Sequence, residues 1–287
     1  MESLKKFIKI LLVVAMVVLI VYFGAMMLDN TGSNRAKVSV KAPAFLKGKY
    51  KLAMSDEFTG RKVNKKIWNF DIGSGFPGET GIQYYSKSGY DIYTQDGTLI
   101  LTAHQNKTGT HRYVSSRIQT RSKVQFRYGY IEARIKMQDK NGYSPQFKLL
   151  GVGADWSKQK DESKASGSEI IIMRHDRQGR LSYGLVWTKG KKKKTVTDLQ
   201  STLPSSLKNL DVTKWHRYGI FWNDKKITWY IDRKPVHTEK LNKTDRNNFR
   251  RIHYVMFNTE IEADGSGTAR AASDRMTVDY MRIFQVK

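Results

Sequence analysis

The sequence predicts an all-β sandwich preceded by one N-terminal transmembrane helix. Three observations carry that prediction. Beyond residue 28, apolar residues recur in short runs rich in β-branched and aromatic side chains, with turn signals between them. Aromatic residues are abundant, with 15 Tyr, 12 Phe and 6 Trp, and these favour a pleated, half-buried surface. No stretch beyond residue 28 repeats its apolar residues at the roughly 3.6-residue period of a long helix.

The chain begins with Lys5, Lys6 and Lys9, followed by Ile10 to Leu28, a 19-residue run without a charged side chain. That length suffices for a helix to span a bilayer. No small-x-small cleavage site follows, so residues 1–28 are read as an uncleaved signal-anchor. Basic residues flank the run on both sides, with Arg35, Lys37 and Lys41 after it, so their count does not orient the anchor. Residues 29–45 are polar and basic without a period and read as a tether. The sandwich occupies residues 46–287.

Within it, Leu99 to Ala103 follows the turn signal Asp96-Gly97. Gly129 to Met137 alternates apolar and polar residues, which predicts one buried face and one wet face. Trp215 to Trp222 and Lys226 to Asp232 flank Asn223-Asp224-Lys225 and read as a hairpin. Tyr254 to Thr259 and Met276 to Phe284 supply further strands. Many short strands at regular spacing point to two packed sheets.

The formal net charge is +25, which favours an anionic partner and says little about fold. Lys191 to Lys194 form the densest cationic run, read as a solvated loop or a clamp on polyanions. No cysteine is present, which excludes disulfides, thiol catalysis and Cys-ligated zinc. No nucleic-acid motif accompanies the charge, which disfavours nucleic acid as a partner.

Gly167-Ser168-Glu169-Ile170-Ile171-Ile172-Met173-Arg174-His175 stands out. It reads as a strand headed by one carboxylate, and strict period 2 puts Glu169, Ile171 and Met173 on one face. A carboxylate on an apolar face needs either solvent or a partner.

The order of motifs over most of residues 54–286 resembles the family 16 glycoside hydrolases, the laminarinase and lichenase relatives. The residues that carry the resemblance are Asp56-Glu57-Phe58-Thr59-Gly60 with Trp68, Gln83-Tyr84-Tyr85, Asp96-Gly97-Thr98-Leu99 and Ser115 to Thr120. Tyr128 to Lys136, Trp215-His216-Arg217-Tyr218, Trp229 to Asp232 and Val278 to Ile283 continue it. The resemblance implies a concanavalin-like β-jelly-roll with a glycan cleft across one sheet. It also implies an active strand Glu-x-Asp-x-x-Glu: a nucleophile, an assisting Asp and a general acid/base. A retaining glycosidase holds those two carboxyls about 5–5.5 Å apart. Strict alternation puts residues i and i+5 on opposite faces, so the strand needs a bulge.

In this chain Glu169 falls on the nucleophile position, Ile171 on that of the Asp, and Arg174 on that of the acid/base Glu. Arginine stays protonated and cannot serve as the acid. Near Glu169, it would instead hold that carboxylate in an ion pair. The cleft segment Tyr143-Ser144-Pro145-Gln146-Phe147-Lys148 lacks the family's two tryptophans, with Ser144 and Lys148 in their places. By the resemblance, Tyr143, Lys148, Arg174, Trp187, Asn258 and Glu260 line the binding site, with Glu260 alternatively a solvated rim residue. Glu57 and Asp279 match the region where relatives often carry a structural calcium. No other cofactor is implied.

Three functions follow. The first is a membrane-anchored, extracytoplasmic pseudoenzyme of the cell envelope. It would bind a polysaccharide or anionic wall glycopolymer without ordinary hydrolysis, with its N-terminus cytoplasmic. The second is a hydrolase or transglycosylase using Glu169 with Glu260 or substrate assistance. The third is a polyanion or nucleic-acid binder, resting on charge alone.

Overall fold

The computed structural model describes residues 40–76, 81–107, 109–139, 142–152, 168–176, 179–189, 194–241, 244–262 and 273–287. The expected membrane anchor, most of the tether and Lys191 to Lys193 lie outside these residues. Among the described residues no helix is long and apolar enough to cross a membrane.

Residues 39–287 form one unit of two mainly antiparallel sheets, a jelly-roll-like sandwich. The ten-stranded sheet runs β16 (Lys234–Lys240), β15 (Lys226–Ile231), β14 (His216–Trp222), β9 (Gly129–Met137), β18 (Ser273–Val286), β5 (Thr98–Gln105), β6 (Tyr113–Ser115) and β3 (Tyr84–Tyr85). On it, β1 (Tyr50–Asp56) pairs with β18 and β4 (Ile92–Gln95) with β5. The eight-stranded sheet runs β13 (Lys194–Gln200), β12 (Leu181–Lys189), β11 (Ser168–His175), β10 (Tyr143–Gly151), β17 (His253–Ile261), β7 (Arg117–Gln119) and β2 (Asn69–Phe70), with β8 (Gln125–Phe126) beside β17. The expected turn Asp96-Gly97 joins β4 to β5, with φ of 50° and 69°, the two left-handed positions of a primed hairpin turn.

The core lies between the sheets. Ile131, Ala133 and Ile135 of β9 and Met276, Val278, Met281 and Ile283 of β18 meet Phe147, Leu149, Ile170, Val255 and Phe257 from the other sheet. Phe147 stacks on Phe257 at 4.8 Å. Each such side chain withdrawn from water contributes roughly 1.5–3 kcal/mol before entropy is subtracted. The far face of β9 is not wet as the alternation suggested. Glu132 there has no exposed surface, because Arg233 binds it through two nitrogens and the Tyr130 and Tyr280 hydroxyls donate to it. Val40, Ala42 and Phe45, assigned to the tether, pack against Leu46, Tyr130 and Phe284 on that same face.

Strand β11 carries the expected bulge. Lys148 faces Ile171 and Phe147 faces Met173, and on the other side Ile171 faces Gly184 and Arg174 faces Ser182. One extra residue thus sits between Ile171 and Arg174. Ile172 and Met173 both enter the core. Met173 therefore does not share a face with Glu169, as strict alternation predicted. The bulge turns Arg174 onto the outward face with Glu169 and Ile171. The Ile171 carbonyl accepts a hydrogen bond of 2.8 Å from the buried Trp229 indole of β15, which satisfies a backbone group at the irregularity.

Candidate functional site

The outward face of the eight-stranded sheet forms the cleft floor. Alternation along β10 sends Ser144, Gln146, Lys148 and Leu150 outward, while Phe147 and Leu149 go to the core. On β17 the outward residues are Tyr254, Met256, Asn258 and Glu260, with Glu262 one step beyond. On β11 they are Glu169, Ile171 and Arg174, and on β12 Ser182, Gly184 and Val186.

Cations and carboxylates alternate across this floor. The Lys148 ammonium lies 3.5 Å from Glu169, and both side chains are largely buried. Arg174 does not pair with Glu169. Its guanidinium binds Glu262 at 2.6 Å and donates to the Ser144 hydroxyl at 3.3 Å, so it leans away from Glu169. Glu260 is no rim residue: it is 5% exposed and receives a hydrogen bond from the Gln146 side chain. Burial raises its pKa above the ordinary carboxylate range, against the opposing pull of Lys148, Arg174 and Gln146. On this floor Lys148 and Arg174 thus stand among three carboxylates, and each cation already has a partner.

Beyond Arg174 the floor opens into a polar cavity of about 390 Å³, walled by Arg174, Asp176, Arg180, Ser182, Gln200 and Glu262. Toward β7 the floor is polar and closed. Arg117 lies 2.8 Å from Asp71 and 4.3 Å from the Phe76 ring centre. Asn258 donates to the Tyr85 hydroxyl at 3.3 Å, and Gln83 donates to the same oxygen at 2.9 Å.

Of the residues expected to line the site, Glu169, Lys148, Arg174, Asn258 and Glu260 share this face. Trp187 and Tyr143 do not. Trp187 points into the core and meets Phe249 edge-on, because its neighbour Val186 takes the outward position. Tyr143 is buried beneath the sheet with Ala103, Tyr113 and Ile261, and burial raises its pKa. The two carboxylates matched to a structural calcium are each held in an ion pair. Arg282 grips Glu57 with two hydrogen bonds of 2.8 Å, and Arg134 holds Asp279 at 2.8 Å, so both carboxylates are neutralised by protein cations. Among the described residues no cluster of three metal-ligating side chains converges.

Glu262, the tightest partner of Arg174, went unnoticed in the sequence. Its signal was period 2: Asn258, Glu260 and Glu262 continue one face.

A family model described as glycosyl hydrolases family 16 matches residues 81–282. The chain belongs to glycosyl hydrolases family 16. A β-glucanase of Rhodothermus marinus is 26% identical over 268 residues, covering 88% of this chain and 89% of that protein. The clotting factor G alpha subunit of Tachypleus tridentatus is 23% identical over 244 residues, covering 83% of this chain. This chain spans only 34% of that relative's length, and 38% of the glucan endo-1,3-β-glucosidase A1 of Niallia circulans. Among solved structures, the endo-β-1,3-glucanase of Pyrococcus furiosus superposes with a TM-score of 0.65 at 28% identity, over 83% of this chain and 95% of that one. Family 16 glucanases need no cofactor.

Proposed function

We propose that this family 16 chain binds a polysaccharide in the cleft without hydrolysing it. The observation that carries the reading is the state of the Arg174 position. It faces the cleft as the acid/base residue would, yet it holds a guanidinium fixed 2.6 Å from Glu262. A group that never loses its proton cannot give one to a leaving group, and general acid help is worth roughly 10²–10⁴-fold. Glu169, at the nucleophile position, is 3.5 Å from a cation that competes for its lone pairs.

Glu260 does not replace the missing acid. Glu169 lies opposite Leu150 and Glu260 opposite Ser144, six residues apart on β10. At a rise of ~3.4 Å per residue this is about 20 Å. Leaning side chains do not close that gap to the roughly 5–9.5 Å that separates catalytic carboxyls in glycosidases.

Because Lys148 and Arg174 are already matched by carboxylates, the cleft suits a neutral glycan better than an anionic one. Sugar hydroxyls can exchange hydrogen bonds with Ser182, Gln200, Arg174 and Glu262 around the 390 Å³ cavity. The relatives named as glucanases support a polysaccharide as the ligand class. The apolar run Ile10 to Leu28 supports a membrane anchor, and a polysaccharide ligand supports placing the sandwich outside the cell membrane.

The test is to incubate the full-length chain with laminarin and lichenan, following reducing ends and affinity-gel retardation. Retardation without reducing ends is expected. Reducing-end release that disappears in Glu169→Gln would overturn the non-catalytic reading.

A further inference from the structure

A cavity larger than that of the cleft lies elsewhere. It measures about 560 Å³ and lies on the outward face of the ten-stranded sheet, on the far side of the core. Its walls include Trp215, Lys136, Arg275, Thr277 and Gln138. Trp215 is half-buried, just before β14, and lies against two β9 side chains. The Arg134 guanidinium sits 4.8 Å, and the Lys136 ammonium 4.9 Å, from its ring centre. Contact with two cations holds an indole in place at the edge of the cavity.

The two cations on the ring differ in their partners. Arg134 is taken up by Asp279 at 2.8 Å. Lys136 and Arg275 form no ion pair among the described residues. Lys136 faces Thr277 across the β9–β18 ladder, and Arg275 is two residues from Thr277, on the next outward position. One tryptophan, two cations without a direct ion pair among the described residues, a threonine hydroxyl and the Gln138 amide thus share one cavity. The carboxylate Asp96 lines it too and offsets one of the two charges.

We propose that this cavity is a second glycan site and that it takes an acidic sugar. An indole offers a flat apolar surface for the C–H face of a pyranose ring, while its neighbours supply the polar contacts. Lys136 and Arg275 meet the ligand's carboxylate, and Thr277 and Gln138 its hydroxyls. The volume is that of a small-ligand pocket of roughly 300–1,000 Å³. A nucleic-acid strand asks for successive aromatic platforms along a basic groove, and this cavity has a single indole. The site divides the labour on the two faces of the sandwich. The charge-balanced cleft takes neutral glycan, and the Trp215 cavity gives the chain its preference for anionic polymer. It does not depend on the cleft being inactive.

The test uses the full-length chain in detergent and three probes: oligogalacturonate, laminarin, and mixed-sequence single-stranded DNA. Oligogalacturonate is expected to bind, and salt to weaken it. Lys136→Gln with Arg275→Gln, and separately Trp215→Ala, are each expected to weaken it by about tenfold or more. Laminarin retardation should be unchanged in these variants. Glu169→Gln should leave oligogalacturonate binding as it was. Trp215→Phe, which keeps a flat ring, should retain most of the binding and serves as the control for folding. The proposal falls if oligogalacturonate does not bind, or if Trp215→Ala binds it like the parent. It also falls if the loss follows Arg174→Met instead, or if DNA binds more tightly through the same three residues.

Discussion

The proposed reading of the cleft turns on Arg174 and Glu169, and the pairing of their charges can be measured. Four single variants, Arg174→Met, Glu262→Gln, Lys148→Met and Glu169→Gln, and the double variants at 174/262, 148/169 and 174/169 define three double-mutant cycles. Arg174 and Glu262 meet at 2.6 Å with side chains 26% and 15% exposed. At an effective dielectric constant near 20, the gross attraction is about 6 kcal/mol, and desolvation with partial screening leaves a coupling of about 2. Lys148 and Glu169 at 3.5 Å have a gross attraction of about 5 kcal/mol and a coupling of about 1. Arg174 faces Gln146 and Glu169 faces Leu150, four residues along β10, or about 14 Å between backbones. At that separation, beyond a Debye length and with no shared partner, their coupling should be within about 0.5 kcal/mol of zero. The readout is thermal or urea unfolding. For a domain of this size, 2 kcal/mol of coupling appears as about 4–8 °C of non-additivity in Tm. A coupling of Arg174 to Glu169 larger than its coupling to Glu262 would refute this account of the cleft.

His253 is buried and held neutral, with its pKa depressed by burial to about 4. Above about pH 6.5 both folded and unfolded chains leave it uncharged, and its contribution is fully present; as pH falls from there toward 4, the unfolded chain takes the proton first, and stability drops by up to about 3 kcal/mol. His253→Gln should flatten that part of the pH–stability curve, and an unchanged curve would count against it. Glu132→Gln should cost about 3–5 kcal/mol in urea unfolding, because Arg233 then keeps a half-buried charge without its partner; a loss under 1 kcal/mol would contradict the pairing. Gly184→Ala should cost at least about 2 kcal/mol, since φ is +147° and a Cβ would lie 2.2 Å from the Asp198 carbonyl oxygen of β13. A variant as stable as the parent would show that β13 yields easily. The combination Ile171→Asp, Arg174→Glu and Glu262→Gln restores the family's acid and relieves the crowding of carboxylates around it. It should raise reducing-end release from laminarin by about 10²-fold or more over the parent. Release as fast in the parent would show that the acid was never missing.

Most strands were legible because their periods are strong: β9 begins and ends where the alternation of Gly129 to Met137 does. The bulge in β11 was legible only through the resemblance, since the composition of Ile170-Ile171-Ile172-Met173 fits either face. The charge pairing was not legible. Arg174 reaches Glu262 across 88 positions of sequence, and the choice between Glu262 and Glu169 depends on which way one long side chain leans. Trp187 was misplaced for a related reason. Both Val186 and Trp187 are apolar, so the β12 sequence does not say which of them faces the core; only the register against Glu169 does. The outward face of β9 misled because its polar residues are covered by other polar residues, Glu132 by Arg233, Tyr130 and Tyr280.

The extra residue in β11 also acts as a lock on strand sliding. Glu169 and Ile171 lie in one phase of the alternation, and Arg174 lies in the other. A slip of one position would drive Glu169 into the sandwich and lift Ile170 into water. A slip of two positions would restore the phase but carry the irregularity away from the Trp229 indole that satisfies the Ile171 carbonyl. Each alternative alignment thus breaks a contact on one side of the sheet or the other. The irregularity that brings position 174 into the cleft therefore also gives the strand a single address in the sheet, and that address is indifferent to whether position 174 holds an acid or a base.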